Sequence, residues 1–293
     1  MSTISELVKK NAPSDVLLSF GKSDIERRIG FPAGRYTSAG PVLYMLMGVI
    51  LTVAFYGVLA LWPDCMIARM FTQRGPTPYA IALFSALACM QLLVKHRKLA
   101  LQKKALSLRL LPTDDPGFIL TPASSEHILQ NLYESIDDPD AFLLTRRIRV
   151  ALGNLRNMGR IGDVDEVLKT QAENDEGQVD SSYALLRGLI WAIPVLGFIG
   201  TVLGLSVALG GFGSVLSAAN DMSQLRGALQ NVTAGLSTAF DTTFEGLVAA
   251  LTIQMLMIGM RGREDHFLDQ CKDYCQKNLV GRLRLMASDG TQP

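Results

Sequence analysis

The sequence predicts an all-α, polytopic membrane protein with four transmembrane helices and a cytoplasmic helical bundle. Three observations predict it. Of 293 residues, 48% are hydrophobic and only 19% are charged, a balance that points to lipid as part of the solvent. Four apolar runs are long enough to cross a hydrocarbon core of roughly 30 Å. About 90 polar residues with helix-like stretches separate the second run from the third.

The elements follow in order. Residues 1–40 form an N-terminal segment, expected to be mobile or surface-bound. Residues 41–95 hold a helical hairpin. Its first arm, 43–62, carries no charge and begins too deep in the chain to be a cleaved signal peptide. Its second arm, 78–94, follows a connection containing Pro63, Gly75, Pro76 and Pro78 and is closed by Lys95-His96-Arg97-Lys98. Residues 96–186 read as a helical region, with helix-like stretches at 125–135, 141–158 and 164–172 and turn signals at Pro112, Pro116, Pro122 and Pro139. Residues 187–262 hold the second pair of spans, about 189–212 and 232–260, with Asp180-Ser181-Ser182 as capping candidates for the first of them. Residues 263–293 form a C-terminal helix and tail.

Basic residues follow the second and fourth spans and precede the first, so the positive-inside rule places both termini and the 96–186 region in the cytoplasm. The two short connections, 63–77 and 213–231, then lie outside. A net charge of +1 offers no field for nucleic acid. Cys65, Cys89, Cys271 and Cys275 are scattered, without a Cys-x-x-Cys or a compact His/Cys cluster, and read as free thiols. The sequence holds no phosphate-binding Gly-x-x-x-x-Gly-Lys loop and no triad context, so it is not read as an enzyme.

Chemistry concentrates in the second pair of spans. Gly197, Gly200 and Gly204 recur three and four apart after Pro194, so they share one face and let another backbone approach closely. Ordinary small-residue packing accounts for that face as well as an ion path does. In the last span Thr238, Asp241, Thr242, Glu245, Ala249 and Thr252 fall within roughly 100° on a helical wheel. Thr243 shares the neighbouring face with Ala239, Gly246 and Ala250. Carboxylates inside a bilayer are costly, which makes Asp241 and Glu245 ion-path candidates; structural bonding to a neighbouring helix is the alternative.

Pro194-x-x-Gly197-x-x-Gly200-Thr201-Val202-x-Gly204 resembles the second-helix motif of TolQ and ExbB. Gly235-Leu236 through Thr243-x-x-Gly246-Leu247 resembles their third helix. Together these segments cover about a third of the chain, in the family's order. The resemblance to the MotA/TolQ/ExbB proton channel family implies that Thr201 and Thr243 line a passage facing a partner's single helix. It further implies a pentamer around a dimer of a MotB-, TolR- or ExbD-like single-span subunit whose intramembrane aspartate carries the ion. Protons rather than sodium ions are the expected cargo, no cofactor is expected, and the expected place is a bacterial inner membrane. The chain departs from TolQ and ExbB at Thr238, where they have glutamate, and at Thr252, where they have proline. Its four crossings are closer to MotA. Two other classes remain open, a secondary transporter of a small solute and a passive membrane scaffold.

Overall fold

The computed structural model describes residues 20, 24–28, 30, 34, 36–108, 111, 119–155, 161–217 and 222–284. Among them the secondary structure is helical, with one isolated parallel bridge between Leu120 and Leu283. The helices are α1 (Ile25–Arg28), α2 (Pro41–Leu61), α3 (Met66–Gln73), α4 (Thr77–Ser107), α5 (Pro122–Ser135), α6 (Leu143–Asn154), α7 (Ile161–Ser181), α8 (Ala184–Ser217) and α9 (Met222–Asn278). Four helical segments are long and apolar enough to cross a membrane. The chain is a multi-pass membrane protein built from α-helices.

Contacts divide the chain into two compact units. One comprises Met1–Gly40, Val94–Ser182 and Arg261–Pro293. Its core gathers Phe20, Leu101, Ala105, Leu132, Ile136 and Phe142, with the rings of Phe20 and Phe142 edge-on at 5.5 Å. Helix α5 starts where Thr121 and Ser124 exchange bonds in a capping box and Pro122 opens the first turn, where its missing N–H costs nothing. Gln102 ties α4 to the next connection by donating to the Ala141 carbonyl at 2.8 Å and accepting from the Leu143 amide at 3.0 Å.

Several ion pairs among the described residues are buried in this unit. Lys98 Nζ lies 2.5 Å from Glu26 Oε2, Lys95 Nζ lies 3.2 Å from Glu264, and Arg147 Nε lies 2.8 Å from Asp175. Lys95 and Lys98 belong to the basic cluster that the sequence suggests as a membrane flank, yet both are interior. The helix carrying them also runs on to Ser107 instead of closing at that cluster.

The other unit comprises Pro41–Leu93 and Tyr183–Met260. Here α2 meets α4 where Gly48 leaves room for Leu87; a Cβ on Gly48 would sit 2.6 Å from the Leu87 side chain. Tyr56 stacks on Tyr79 at 4.6 Å, and Phe55 meets Phe71 of α3 edge-on at 5.2 Å. Val53, Leu61, Trp191, Leu209 and Phe240 are turned outward, each at least 65% exposed. On a soluble protein such a surface would be an aggregation hazard; on a membrane-spanning one it suits contact with lipid.

The structure corrects four expectations. The 63–77 connection contains the amphipathic helix α3. Most of 213–231 is helical, and α9 continues without a break from Met222 through the expected tail to Asn278. Asp180-Ser181-Ser182 does not cap α8: Ser181 and Ser182 donate backward to the Gln178 and Val179 carbonyls, and Asp180 pairs with Arg261 at 2.8 Å. The N-terminal segment is partly interior, since Phe20, Asp24, Glu26, Tyr36 and Thr37 are buried. Pro194 lies inside α8, which continues unbroken on both sides of it. Residues 287–293 lie outside the described residues.

Candidate ion pathway

The site is built where α8 crosses α9, and glycine makes the crossing close. A Cβ on Gly197 would lie 2.9 Å from the Thr242 carbonyl oxygen, and one on Gly204 would lie 2.6 Å from the Gly235 carbonyl oxygen. Reciprocally, a Cβ on Gly235 would lie 2.6 Å from the Gly204 carbonyl oxygen, and one on Gly246 would lie 3.1 Å from that of Ile193. Gly200 is filled by the side chain of Thr242, with the Thr77 hydroxyl 2.8 Å from where a Cβ would be. Helices at this separation pack by direct backbone contact, which any larger residue would pry apart.

That closeness brings Thr201 and Thr243 together. Their hydroxyls bond to each other, and each also reaches two helix carbonyls. Thr201 is 3.3 Å from the Gly197 oxygen and 3.2 Å from the Ala239 oxygen; Thr243 is 3.3 Å and 3.1 Å from the same two atoms. Both side chains are half-buried, so one edge of the pair remains accessible from outside the crossing.

The polar stripe of α9 divides into unequal parts. Thr242 is fully buried in the crossing, donating to the Thr238 carbonyl at 2.9 Å. Thr238 donates to the Ala234 carbonyl at 3.0 Å, and Thr252, fully outward, donates to Val248 at 2.8 Å; both spend their hydroxyls on their own helix. The wheel places these residues on one stripe, but its middle, at Thr242 and Glu245, is buried while Thr252 is exposed.

Asp241 and Glu245 differ most. Asp241 is a quarter exposed, forms an ion pair with Arg74 Nε at 2.8 Å and accepts from Ser237 at 3.3 Å. Glu245, one turn along, is 5% exposed, and neither carboxyl oxygen has a partner among the described residues. The Tyr56 hydroxyl is likewise buried without a partner. Glu245 lies within electrostatic reach of Asp241 and Arg74, and Tyr56 within reach of Glu245.

Arg74 and Tyr56 therefore join the site, and sequence reasoning missed both. Arg74 lies in the 63–77 connection, outside the apolar runs, and Tyr56 is one polar atom in an otherwise apolar span. The signal available was balance: two carboxylates in an apolar pair of helices call for a cation, and Arg74 is flanked by the turn Gly75-Pro76 that brings it back to the helices. Among the described residues no group of three His, Cys, Asp or Glu side chains could hold a metal ion.

Residues 135–272 match the model of the MotA/TolQ/ExbB proton channel family, a stretch that includes all of α8, most of α9 and the threonine pair. No curated protein and no solved structure matches the chain. The chain is similar to that family over this stretch, and its four long apolar helices suit a multi-pass membrane setting.

Proposed function

We propose that this chain, matched to the MotA/TolQ/ExbB proton channel family over its second helix pair, is the channel-forming subunit of a rotary motor driven by the proton motive force. Five copies surround a dimer of a single-span partner, and the partner's intramembrane aspartate carries protons past Thr201 and Thr243. The observation that carries this reading is the hydroxyl pair of Thr201 and Thr243, fixed at a glycine crossing and open along one edge. Helix α9 places one hydroxyl there, and the close approach of α8 supplies the second.

Protons enter from the outer side, meet the partner carboxylate beside the threonines, and leave to the cytoplasm as one ring steps against the other. Each elementary charge falling through 100 mV releases about 2.3 kcal/mol, enough to drive a step between weakly bonded positions. The chain lies in a bacterial inner membrane with both termini cytoplasmic, which the distribution of Lys and Arg around the spans supports. Asp241 and Glu245 flank the route on the same subunit.

Valine keeps the volume of threonine and removes its hydroxyl. Proton flux in cells producing the chain with its single-span partner should be abolished by Thr201→Val and by Thr243→Val, while native mass spectrometry still finds the pentamer. Undiminished flux in both variants would refute the route and leave a scaffold.

A further inference from the structure

Among the described residues of the second unit, the carboxyl of Glu245 is the one acidic group with no bond to either oxygen, and its surroundings say what it can bind. It is enclosed, at 5% exposure, while Asp241 a turn away is a quarter exposed and already paired with Arg74. The acid is thus buried one helical turn from a more accessible ion pair and within electrostatic reach of an unpartnered tyrosine hydroxyl.

We propose that Glu245 is a proton-binding site internal to each subunit, entered past the Arg74–Asp241 pair and closed to sodium ions by Arg74. The purpose of such a site rests on the proton-channel reading, but its existence does not.

A buried carboxylate without donors lacks several kcal/mol of solvation. A single proton converts one of its oxygens into a donor and leaves the other as an acceptor, and Tyr56 can serve either. No bond to carbon changes; one proton arrives and one leaves. A sodium ion would instead need a shell of several oxygens. The carbonyls of the neighbouring turns are engaged within their helices, and Asp241, the nearest second carboxylate, is neutralised by Arg74 at 2.8 Å. Arg74 also sets a positive charge beside the more exposed carboxylate next to Glu245. A proton crosses such a barrier by exchange along hydrogen bonds, whereas a metal cation must pass bodily beside the guanidinium.

The ionisable groups facing the site can be named element by element. Asp241 comes from α9 itself, Arg74 from the end of α3, Tyr56 from α2, and Tyr79 from α4, stacked on Tyr56. Helix α8 has one ionisable residue, Arg187, in its first turn.

The test uses the full-length protein in mild detergent and dicyclohexylcarbodiimide, which modifies protonated carboxyls in apolar surroundings. Adduct at Glu245 is read by peptide mass spectrometry across a pH series, with and without NaCl. The expected adduct forms at low pH, declines about tenfold per pH unit above its midpoint, is absent from Glu245→Gln, and is indifferent to NaCl. Arg74→Gln should make labelling sensitive to NaCl, whereas Arg74→Lys, which keeps the charge, should not. Should Arg74→Gln fail to fold, the NaCl arm on the natural protein and on Arg74→Lys decides the matter. A yield that does not vary with pH describes a fixed structural acid, no adduct at any pH describes a sealed group, and protection of the natural protein by NaCl describes a cation site; each overturns the proposal. Thr201→Val should leave the adduct unchanged, so failure of the threonine route and failure of this site give different results.

Discussion

Lys98→Met should be the most damaging single change in the first unit. Lys98 is 2% exposed and its ammonium lies 2.5 Å from Glu26 Oε2, 2.7 Å from the Ser38 carbonyl and 3.1 Å from the Gly34 carbonyl. Glu26 in turn accepts from the Gly34 amide at 2.8 Å and the Gly40 amide at 2.6 Å. One lysine thus holds the loop before α2 against α4. Methionine fills most of the volume but leaves Glu26, which is fully buried, as an uncompensated charge. Removing one partner of a buried pair costs about 3–5 kcal/mol. For a chain of this size that corresponds to a fall of about 10 °C in the melting temperature, measurable by intrinsic fluorescence in detergent. Adding Glu26→Gln should recover part of the loss, since the neutral amide can still accept from one of the two backbone amides.

The pH dependence of the same variant has a definite sign. Burial holds the Asp24 carboxyl above its ordinary value of 3.8, and Lys98, 4.0 Å away, opposes that shift. Without Lys98 the folded state holds the Asp24 proton still more firmly than the unfolded chain does. Stability from that proton is fully present below about pH 4 and is lost as pH rises through the folded-state value. The deficit of Lys98→Met should therefore widen as pH rises from 4 toward 7. A deficit below about 1 kcal/mol at pH 7, or one that narrows with rising pH, would refute the reasoning.

Gly235→Val should cost about 3 kcal/mol or more and deplete the folded peak in gel filtration, because its side chain would enter the Gly204 carbonyl and the Ala208 amide; Gly259→Val, with open space at that point, should have no such effect. A membrane-impermeant maleimide applied to intact cells should label Cys65, which is exposed in the connection between α2 and α3, and labelling only from the opposite membrane face would reverse the proposed orientation. Cys271 and Cys275 are buried, and burial pushes both thiols up to about 12, so they should react only after denaturation.

The membrane spans were legible because lipid imposes a constraint visible in one dimension: a run near 20 residues without charge. The α8–α9 crossing was legible for a similar reason, since spacings of three and four place Gly197, Gly200 and Gly204 on one face whatever lies opposite. Pairing across the chain leaves no such mark. Lys98 and Glu26 are separated by 72 positions and Lys95 and Glu264 by 169, so charges that look like solvent-facing flanks prove to be interior. Helix α3 escaped because eight residues are too few to show a period beside so many turn formers. The polar residues Asn220, Asp221, Ser223 and Gln224 disguised the start of α9 as part of a loop. Arg74 escaped for both reasons, lying in that short connection and pairing with a residue 167 positions away.

The threonine pair has a shortage that its geometry makes plain. Two hydroxyls own two protons, yet those protons are shared among the carbonyl oxygens of Gly197 and Ala239 and the hydroxyl oxygens themselves. The cluster is rich in lone pairs and has no hydrogen to spare. A visiting carboxylic acid brings the missing hydrogen and finds an acceptor waiting. A bare carboxylate brings only more lone pairs, and must break a bond worth about 1 kcal/mol to be received. On the proposed route, such a cluster would hold a protonated carboxyl more firmly than a carboxylate, so that loss of the proton would itself weaken the grip.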